Sequence, residues 1–333
     1  MLILFAVLIC CPALFITAQA YYEYDAYEYS IDGSEITIIG TMKNRTAVTD
    51  IPDTIGGMPV TKILLIGKCS IESLHIPKYV TVIKTNLDCS VFKKCSVDKE
   101  NPYFTCINNV IFSKDKTTLV SFPCGITGSY TVPSGVETID SCAFAYSRLN
   151  KVVLPDTLKV IDCSAFQCCR SLAKIQFPEN LEGIWDDAFA NCIALSEITI
   201  PDSVTTLGMR LFRGCSGLKK VTIGSGITEI PYMCFGECDA LEEMVIPASV
   251  VEIEEPAFYY ETKTGQINLK LIRGVPGSYA ETYANRNNIE FLPIVEKNNS
   301  IPLLPYAVIS TLSVVIVVLI IVVIILAKKR RAM

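Results

Sequence analysis

Residues 201–223 read PDSVTTLGMRLFRGCSGLKKVTI, and the recurrence of this pattern decides the fold of the chain. The phenylalanine of the pattern returns at steps of 22 or 23 residues, as Phe144, Phe166, Phe189, Phe212, Phe235 and Phe258. A leucine five or six residues later returns every 23 residues, as Leu149, Leu172, Leu195, Leu218 and Leu241. A period in this range predicts a solenoid, in which each unit buries its apolar face against the next unit.

The aliphatic spacing within one unit predicts a short strand. Aliphatic residues stand three and six positions after each of six anchors, which are Pro133, Pro155, Pro178, Pro201, Gly224 and Pro247. The segment 195–200, LSEITI, then alternates in its second half and is rich in β-branched residues, as strands are. We therefore expect a β-rich solenoid with one short parallel strand in each coil of ~23 residues.

The outward positions of these strands define a candidate interaction face. Its members are Lys151, Lys174, Gln176, Glu197, Thr199, Lys220, Thr222 and Glu243. Because the charges alternate in sign from Lys174 onward, the face largely neutralises itself, which argues against a polyanionic ligand. A flat face with small uncharged neighbours suits a protein partner better than a small molecule. A solvated sheet without any ligand is the alternative.

Four cysteines follow the same period and predict a structural cysteine ladder. They are Cys169, Cys192, Cys215 and Cys238. A buried thiol packs as a small apolar group, and a ladder member has two equal neighbours with side-chain directions unsuited to a bridge. Disulfides remain the alternative for a secreted chain with 13 cysteines after residue 20. Seven further cysteines lie off the ladder and are free to pair: Cys89, Cys95, Cys106, Cys124, Cys163, Cys168 and Cys234.

The two ends predict a single-pass membrane protein of type I, with its N-terminal ectodomain outside the plasma membrane. Residues 1–20 are uncharged and end in a small-x-small pattern, as a signal peptide does. Residues 306–327 are apolar and long enough to span a bilayer as one C-terminal transmembrane helix. The linker 296–305 precedes this helix, and the basic tail 328–333 follows it and fixes the cytoplasmic side.

The charge of the ectodomain excludes one class of partner. The basic tail holds four of the 29 Lys and Arg residues, so the ectodomain carries 25 of these against 34 Asp and Glu residues, a net charge of −9. Nucleic-acid binding needs clustered cations, so we expect no nucleic-acid partner. A six-residue tail is also too short to hold a signalling domain of its own.

Little in the sequence favours catalysis, a metal or a cofactor. His75, the single histidine, occupies an alternating strand position, where a surface or packed residue is the simpler interpretation. Cys234 and Cys238 have loose metal-ligand spacing, but no histidine is near and both belong to the repeat frame. No nucleophile elbow or phosphate-binding glycine loop occurs. We expect a protein that is not an enzyme and has no cofactor and no small-molecule substrate.

Two sequons are candidate glycosylation sites if the source is eukaryotic. Asn44 begins Asn-Arg-Thr in a predicted loop, and Asn298 begins Asn-Asn-Ser about eight residues before the apolar segment.

Several blocks of the chain together resemble the BspA-like surface proteins with Treponema-type leucine-rich repeats. The unit 201–223 is similar to the regular repeat of that family, and residues 27–60 look like its opening hairpin and first coil. Residues 101–119 resemble its irregular unit that carries a hairpin, and residues 277–291 resemble its closing helix and strand. The resemblance implies a leucine-rich-repeat solenoid.

The resemblance also divides the ectodomain into four parts. These are an N-terminal cap over 21–60, irregular repeats with a hairpin insert over 61–132, regular repeats over 133–270 and a C-terminal cap over 271–295. The number of coils between residues 62 and 100 stays open, because the repeat is followed only loosely there.

The same resemblance implies a function at the cell surface. The family includes adhesins that bind host matrix proteins or other cells, and the C-terminal helix with its basic tail is similar to the membrane-anchored forms of mucosal parasitic protists. We therefore expect adhesion to, or recognition of, an extracellular protein. A surface coat or antigen without a specific ligand, and the ligand-binding subunit of a receptor complex, are the alternatives.

Overall fold

The computed structural model describes residues 21–24, 27–41, 49–68, 71–258 and 268–294. Residues 1–292 belong to one compact unit and residues 293–333 to a second. None of the helical residues in these ranges forms a helix long and apolar enough to cross a membrane.

Several predicted features lie outside the described residues. They are the signal peptide 1–20, the sequons at Asn44 and Asn298, the linker 296–305, the transmembrane helix 306–327 and the tail 328–333.

Nine strands build the N-terminal part of the solenoid. They are β1 (Tyr21–Tyr24), β2 (Tyr27–Asp32), β3 (Glu35–Thr41), β4 (Thr49–Asp50), β5 (Thr54–Ile55), β6 (Met58–Lys68), β7 (Ser73–Ile76), β8 (Val82–Asp88) and β9 (Lys94–Val97). β1, β2 and β3 form an antiparallel meander, and β3, β6 and β8 then pair in parallel. β4, β7 and β9 form a separate three-stranded parallel sheet.

A hairpin interrupts the solenoid before the regular coils begin. The next four strands are β10 (Phe104–Ile107), β11 (Val110–Ser113), β12 (Thr118–Ser121) and β13 (Thr127–Thr131). β10, β11 and β12 are antiparallel neighbours. β10 is the end strand of its sheet, as β9 is of the preceding one.

The regular coils carry the remaining strands and one helix. They are β14 (Thr138–Ile139), β15 (Arg148–Val153), β16 (Val160–Ile161), β17 (Gly183–Ile184), β18 (Glu197–Thr199), β19 (Thr206–Leu207), β20 (Lys220–Thr222), β21 (Glu229–Ile230), β22 (Glu243–Val245), β23 (Glu252–Ile253), β24 (Leu271–Gly274), α1 (Tyr279–Arg286) and β25 (Glu290–Pro293).

Each regular coil contributes two strands rather than the one predicted. The longer strands pair in parallel along one side, with β18, β20, β22 and β24 in register. On the other side β12, β14, β16, β17 and β19 form a ladder of two-residue pairings, and β21 pairs with β23 in the same way. Runs of two residues are too short to show an alternating pattern, so the sequence does not display this second column.

A stack of phenylalanine rings fills the core between the two columns. Consecutive rings from Phe144 to Phe258 lie 4.8–5.8 Å apart between centroids and are nearly parallel. The stack continues to Phe122 at one end and to Tyr283 of α1 at the other. Neither of these two residues follows the 23-residue step, which is why the sequence pattern misses them. Each ring therefore completes the core of the coil beside it.

Backbone turns hold each phenylalanine in place. Two columns of residues in the left-handed region flank the stack: Cys142, Ser164, Asp187, Arg210 and Met233 on one side, and Tyr146, Cys168, Asn191, Gly214 and Glu237 on the other. Between them the phenylalanine N–H donates to the next coil, as from Phe166 to the Ala188 carbonyl at 2.7 Å. Nine of these ten residues are not glycine, and the conformation costs them free energy that the stack must offset.

The buried residues form two hydrophobic clusters. One runs from the meander to the hairpin, with Tyr27 and Cys124 among its members. The other runs from the hairpin through the regular coils to α1, which buries Ala280, Tyr283 and Ala284. The two clusters meet at the hairpin.

Removing one ring from the middle of the stack should destabilise the solenoid. Phe189 is fully buried and contacts rings on both sides, so Phe189→Ala should lower the free energy of unfolding by about 3–5 kcal/mol. Urea denaturation followed by circular dichroism measures the change. Ile193→Ala, at a side chain that is 45% exposed, is the control and should change stability by less than about 0.5 kcal/mol. A loss below about 1 kcal/mol at Phe189 would contradict the stack.

Candidate interaction face

The strand ladder places the predicted face residues side by side. Glu197 lies opposite Lys220 and Lys220 opposite Glu243, and Thr199 lies opposite Thr222 in the neighbouring column. Lys151 meets Lys174 in an isolated bridge, because the coil that contains Lys174 forms no longer strand. The side chains point outward because Ile198, Val221 and Met244, between the two columns, are buried.

Ion pairs link successive strands of the face. Lys174 Nζ lies 4.0 Å from Glu197 Oε1, and both side chains are well exposed. Lys220 Nζ lies 3.0 Å from Glu243 Oε1. Exposed pairs of this kind contribute about 0–1 kcal/mol each, so they fix side-chain positions more than they stabilise the fold.

Arg273 extends the face beyond the predicted residues. Its Nε donates to Glu243 Oε1 at 2.9 Å, so Glu243 holds two cations at once. The hydrogen bonds from Lys220 and then Arg273 hold the pKa of the Glu243 carboxyl below its usual value. Ile272 follows Met244 by 28 residues rather than 23, so the longer coil hides Arg273 from the repeat count. The alternating run 271–273 is the signal that could have found it.

The composition of the face limits what it can bind. With Arg273, four cations and two carboxylates lie along it, so the charges cancel less completely than the predicted column suggests. Gln176, Thr199 and Thr222 supply small hydrogen-bonding groups beside them. Rigid strands with mixed charge and amide or hydroxyl groups match a polar protein surface.

The four ladder cysteines lie under this scaffold as buried thiols. Each Sγ–H donates to the carbonyl of a phenylalanine in the preceding coil, from Cys169 to Phe144, Cys192 to Phe166, Cys215 to Phe189 and Cys238 to Phe212, at 3.0–3.2 Å. The sequence indicates burial but not this donor role. Burial raises the pKa of the Cys192, Cys215 and Cys238 thiols well above the usual value. Since the thiolate is the reactive form, the ladder is chemically inert while folded.

His75 contacts a single hydroxyl. Its Nδ1 lies 2.8 Å from Ser96 Oγ, across the pair β7 and β9, and Asp50 of β4 is the register neighbour on its other side. Across the described ranges no group of three or more His, Cys, Asp or Glu side chains could hold a metal ion.

Comparison with known proteins identifies the repeat. A family model described as BspA type leucine rich repeat region matches six copies, over residues 137–265 and 183–302. The pneumococcal vaccine antigen PcpA shares the fold, with a TM-score of 0.54 and 19% identity over 84% of this chain and 99% of that one. A leucine-rich repeat protein of Treponema pallidum gives a TM-score of 0.39 and 22% identity over 80% of this chain and 95% of its own. No curated protein matches the chain.

The two-cation environment of Glu243 should give the face a pH-dependent contribution to stability. A carboxyl with a lowered pKa stabilises the fold above its unfolded pKa of ~4.3, and the contribution is lost as the pH falls through the folded value. Glu243→Gln should therefore lower stability by about 0.5–1 kcal/mol at pH 7 and by progressively less below pH ~4. Thermal unfolding across this pH range measures it. Exposed Glu179→Gln is the control, and a pH-independent difference would contradict the assignment.

Thiol labelling tests the ladder. Cys169, Cys192, Cys215 and Cys238 should resist iodoacetamide in the folded protein and react fully after denaturation without a reductant. Half-buried Cys168, next to Cys169 in the chain, is the internal control and should react first. Mass spectrometry of tryptic peptides gives the extent of labelling at each position. Ladder cysteines that stay unlabelled after denaturation would indicate disulfides instead.

Proposed function

Because this chain belongs to the proteins with BspA-type leucine-rich repeats, we propose that it is a cell-surface protein that recognises or adheres to an extracellular protein. The observation that carries the proposal is the ordered face of the strand ladder, in which Lys220, Glu243 and Arg273 are joined by ion pairs. The solenoid is a scaffold for interactions between proteins, and the proposed role involves no catalysis.

Geometry favours a protein ligand over other classes. Neighbouring strands lie ~4.8 Å apart, so charged and hydroxyl side chains repeat at a spacing that a partner surface can match. A protein partner can satisfy both signs of charge at once, whereas a polyanion would meet Glu197 and Glu243 with repulsion. The partner in this proposal is a host matrix protein or a protein on another cell.

The proposal includes attachment to the plasma membrane as a single-pass type I protein. Its support comes from the sequence: the uncharged leader 1–20, the apolar segment 306–327 and the four basic residues that follow it. In this arrangement the solenoid is extracellular and is tethered through the linker 296–305.

Saturable binding tests the proposal. Residues 21–297, secreted as a soluble protein, should bind host cells or immobilised matrix proteins with a defined half-saturating concentration. Lys174→Glu/Lys220→Glu should raise that concentration by about tenfold or more, because two cations on the face become repulsive. Flow cytometry with the labelled protein gives the measurement.

The control variant is Lys159→Glu, at an exposed lysine that pairs with Glu137 beside the second strand column. It should bind as the unmodified protein does. Folded protein that binds neither cells nor matrix would indicate a surface coat or antigen without a specific ligand. Binding that appears only with a second membrane protein would indicate a receptor subunit.

A further inference from the structure

A cleft opens where the hairpin interrupts the solenoid. Its volume is about 430 Å³, and it is lined by residues 95–99, residues 104–106 and Lys114. Residues 95–97 belong to β9 and residues 104–106 to β10, and each of these strands is the end strand of its sheet. We call this site the edge cleft.

The backbone of β9 forms one wall of the edge cleft. Side chains alternate across a strand, so five consecutive lining residues can line a cleft together only if the backbone edge faces it. Lys94 N–H donates to Glu72 O and Asp98 N–H donates to Ile76 O, which turns Lys94, Ser96 and Asp98 toward β7. By the same alternation the N–H and C=O groups of Cys95 and Val97 point away from β7, toward the cleft.

The backbone of β10 faces the cleft in the same way. Lys114 N–H donates to Tyr103 O at 2.7 Å, so the pair Tyr103 and Lys114 is hydrogen-bonded and the next pair is not. The N–H and C=O groups of Cys106 therefore point away from β11. The Cys106 thiol reaches across the cleft and donates to Cys95 O at 3.1 Å.

Two open strand edges leave backbone groups for a ligand. Within the described part of the chain, neither β9 nor β10 pairs with a second strand on this side. The N–H and C=O of Val97 and those of Cys106 are the groups on offer, since the Cys95 carbonyl already accepts the thiol. Unpaired edges are templates for an added strand.

The charges around the edge cleft are unlike those of the ectodomain as a whole. Lys99 and Lys114 line it, and among the described residues neither forms an ion pair with a carboxylate. Asp98 is the one acid in the lining, and its Oδ1 already accepts the Glu100 N–H at 2.7 Å. A cleft with excess positive charge on a chain of net negative charge favours an acidic ligand.

We propose that the edge cleft binds an extended acidic peptide segment of a partner protein, which adds a strand to β9. The four residues of β9 span ~13 Å, so about four ligand residues can pair, with acidic side chains directed at Lys99 and Lys114. The inference rests on the proposed function in taking a protein as the ligand, but it uses residues separate from the strand face.

Fluorescence anisotropy on the full-length chain tests the proposal with synthetic eight-residue peptides. The probe alternates valine and glutamate, and its counterpart alternates valine and lysine. Two further versions of the probe carry N-methyl groups on alternate backbone amides, in one frame or the other. The glutamate probe should bind saturably and the lysine peptide at least threefold more weakly. In at least one frame, N-methylation should weaken binding by about tenfold, because it blocks pairing with β9.

Two variants place the binding in the edge cleft. Val97→Pro removes an N–H that β7 does not use, so the fold should persist while the glutamate probe binds about tenfold more weakly. Lys99→Glu should weaken the glutamate probe at least threefold and strengthen the lysine peptide. Lys159→Glu is the matched control and should leave both affinities unchanged. Circular dichroism checks that each variant is folded.

Each remaining outcome decides the inference. Absence of probe binding, or binding that neither N-methylation nor Lys99→Glu alters, would overturn it. Equal competition by a short sulfated oligosaccharide would show a polyanion site and would also overturn it. Cell binding that depends on Lys174 and Lys220 without any peptide binding would reject the edge cleft and leave the proposed function standing. The reverse result would separate the two in the other direction.

Discussion

The contact between one coil and the next is the interaction on which the whole structure depends. A coil of about 23 residues is too small to enclose a core, so its phenylalanine is buried only when a second ring covers it. The same contact carries the backbone hydrogen bonds of the turns and the thiol donors of the cysteine ladder. Apolar burial, hydrogen bonding and turn conformation are therefore satisfied together at each interface or not at all.

This contact also determines the surface. Because every ring lies 4.8–5.8 Å from the next, the strands above the stack are held in register, and the charges of the face follow from that register. The ion pairs between Lys220, Glu243 and Arg273 are a result of stacking and contribute little to it. Substitutions on the face can therefore change recognition while the fold is retained.

The repeat and its inner columns could be predicted from the sequence because a residue type that recurs every 23 positions reports one environment. The positions of Lys151, Glu197 and Glu243 followed in the same way. The second strand column, the left-handed residues and Arg273 could not be predicted. Two-residue strands show no alternation, the left-handed positions accept side chains as different as Ser164 and Met233, and Arg273 follows a coil of unequal length.

The edge cleft was equally beyond the sequence pattern, since it results from a hairpin that breaks the period. Residues 101–119 indicate the hairpin, yet the direction of free N–H and C=O groups along β9 depends on which neighbour each residue already serves. Lys99 and Lys114 belong to no column, so repetition gives no information about them.

The uniform ring stack has a consequence for how such a chain can change over generations. Any two regular coils present the same faces to their neighbours, so an in-frame duplication or loss of one unit leaves every interface chemically complete. The solenoid can lengthen or shorten by whole coils, and each event moves the charge pattern of the face by one strand. Recognition can in this way diversify faster than stability is lost.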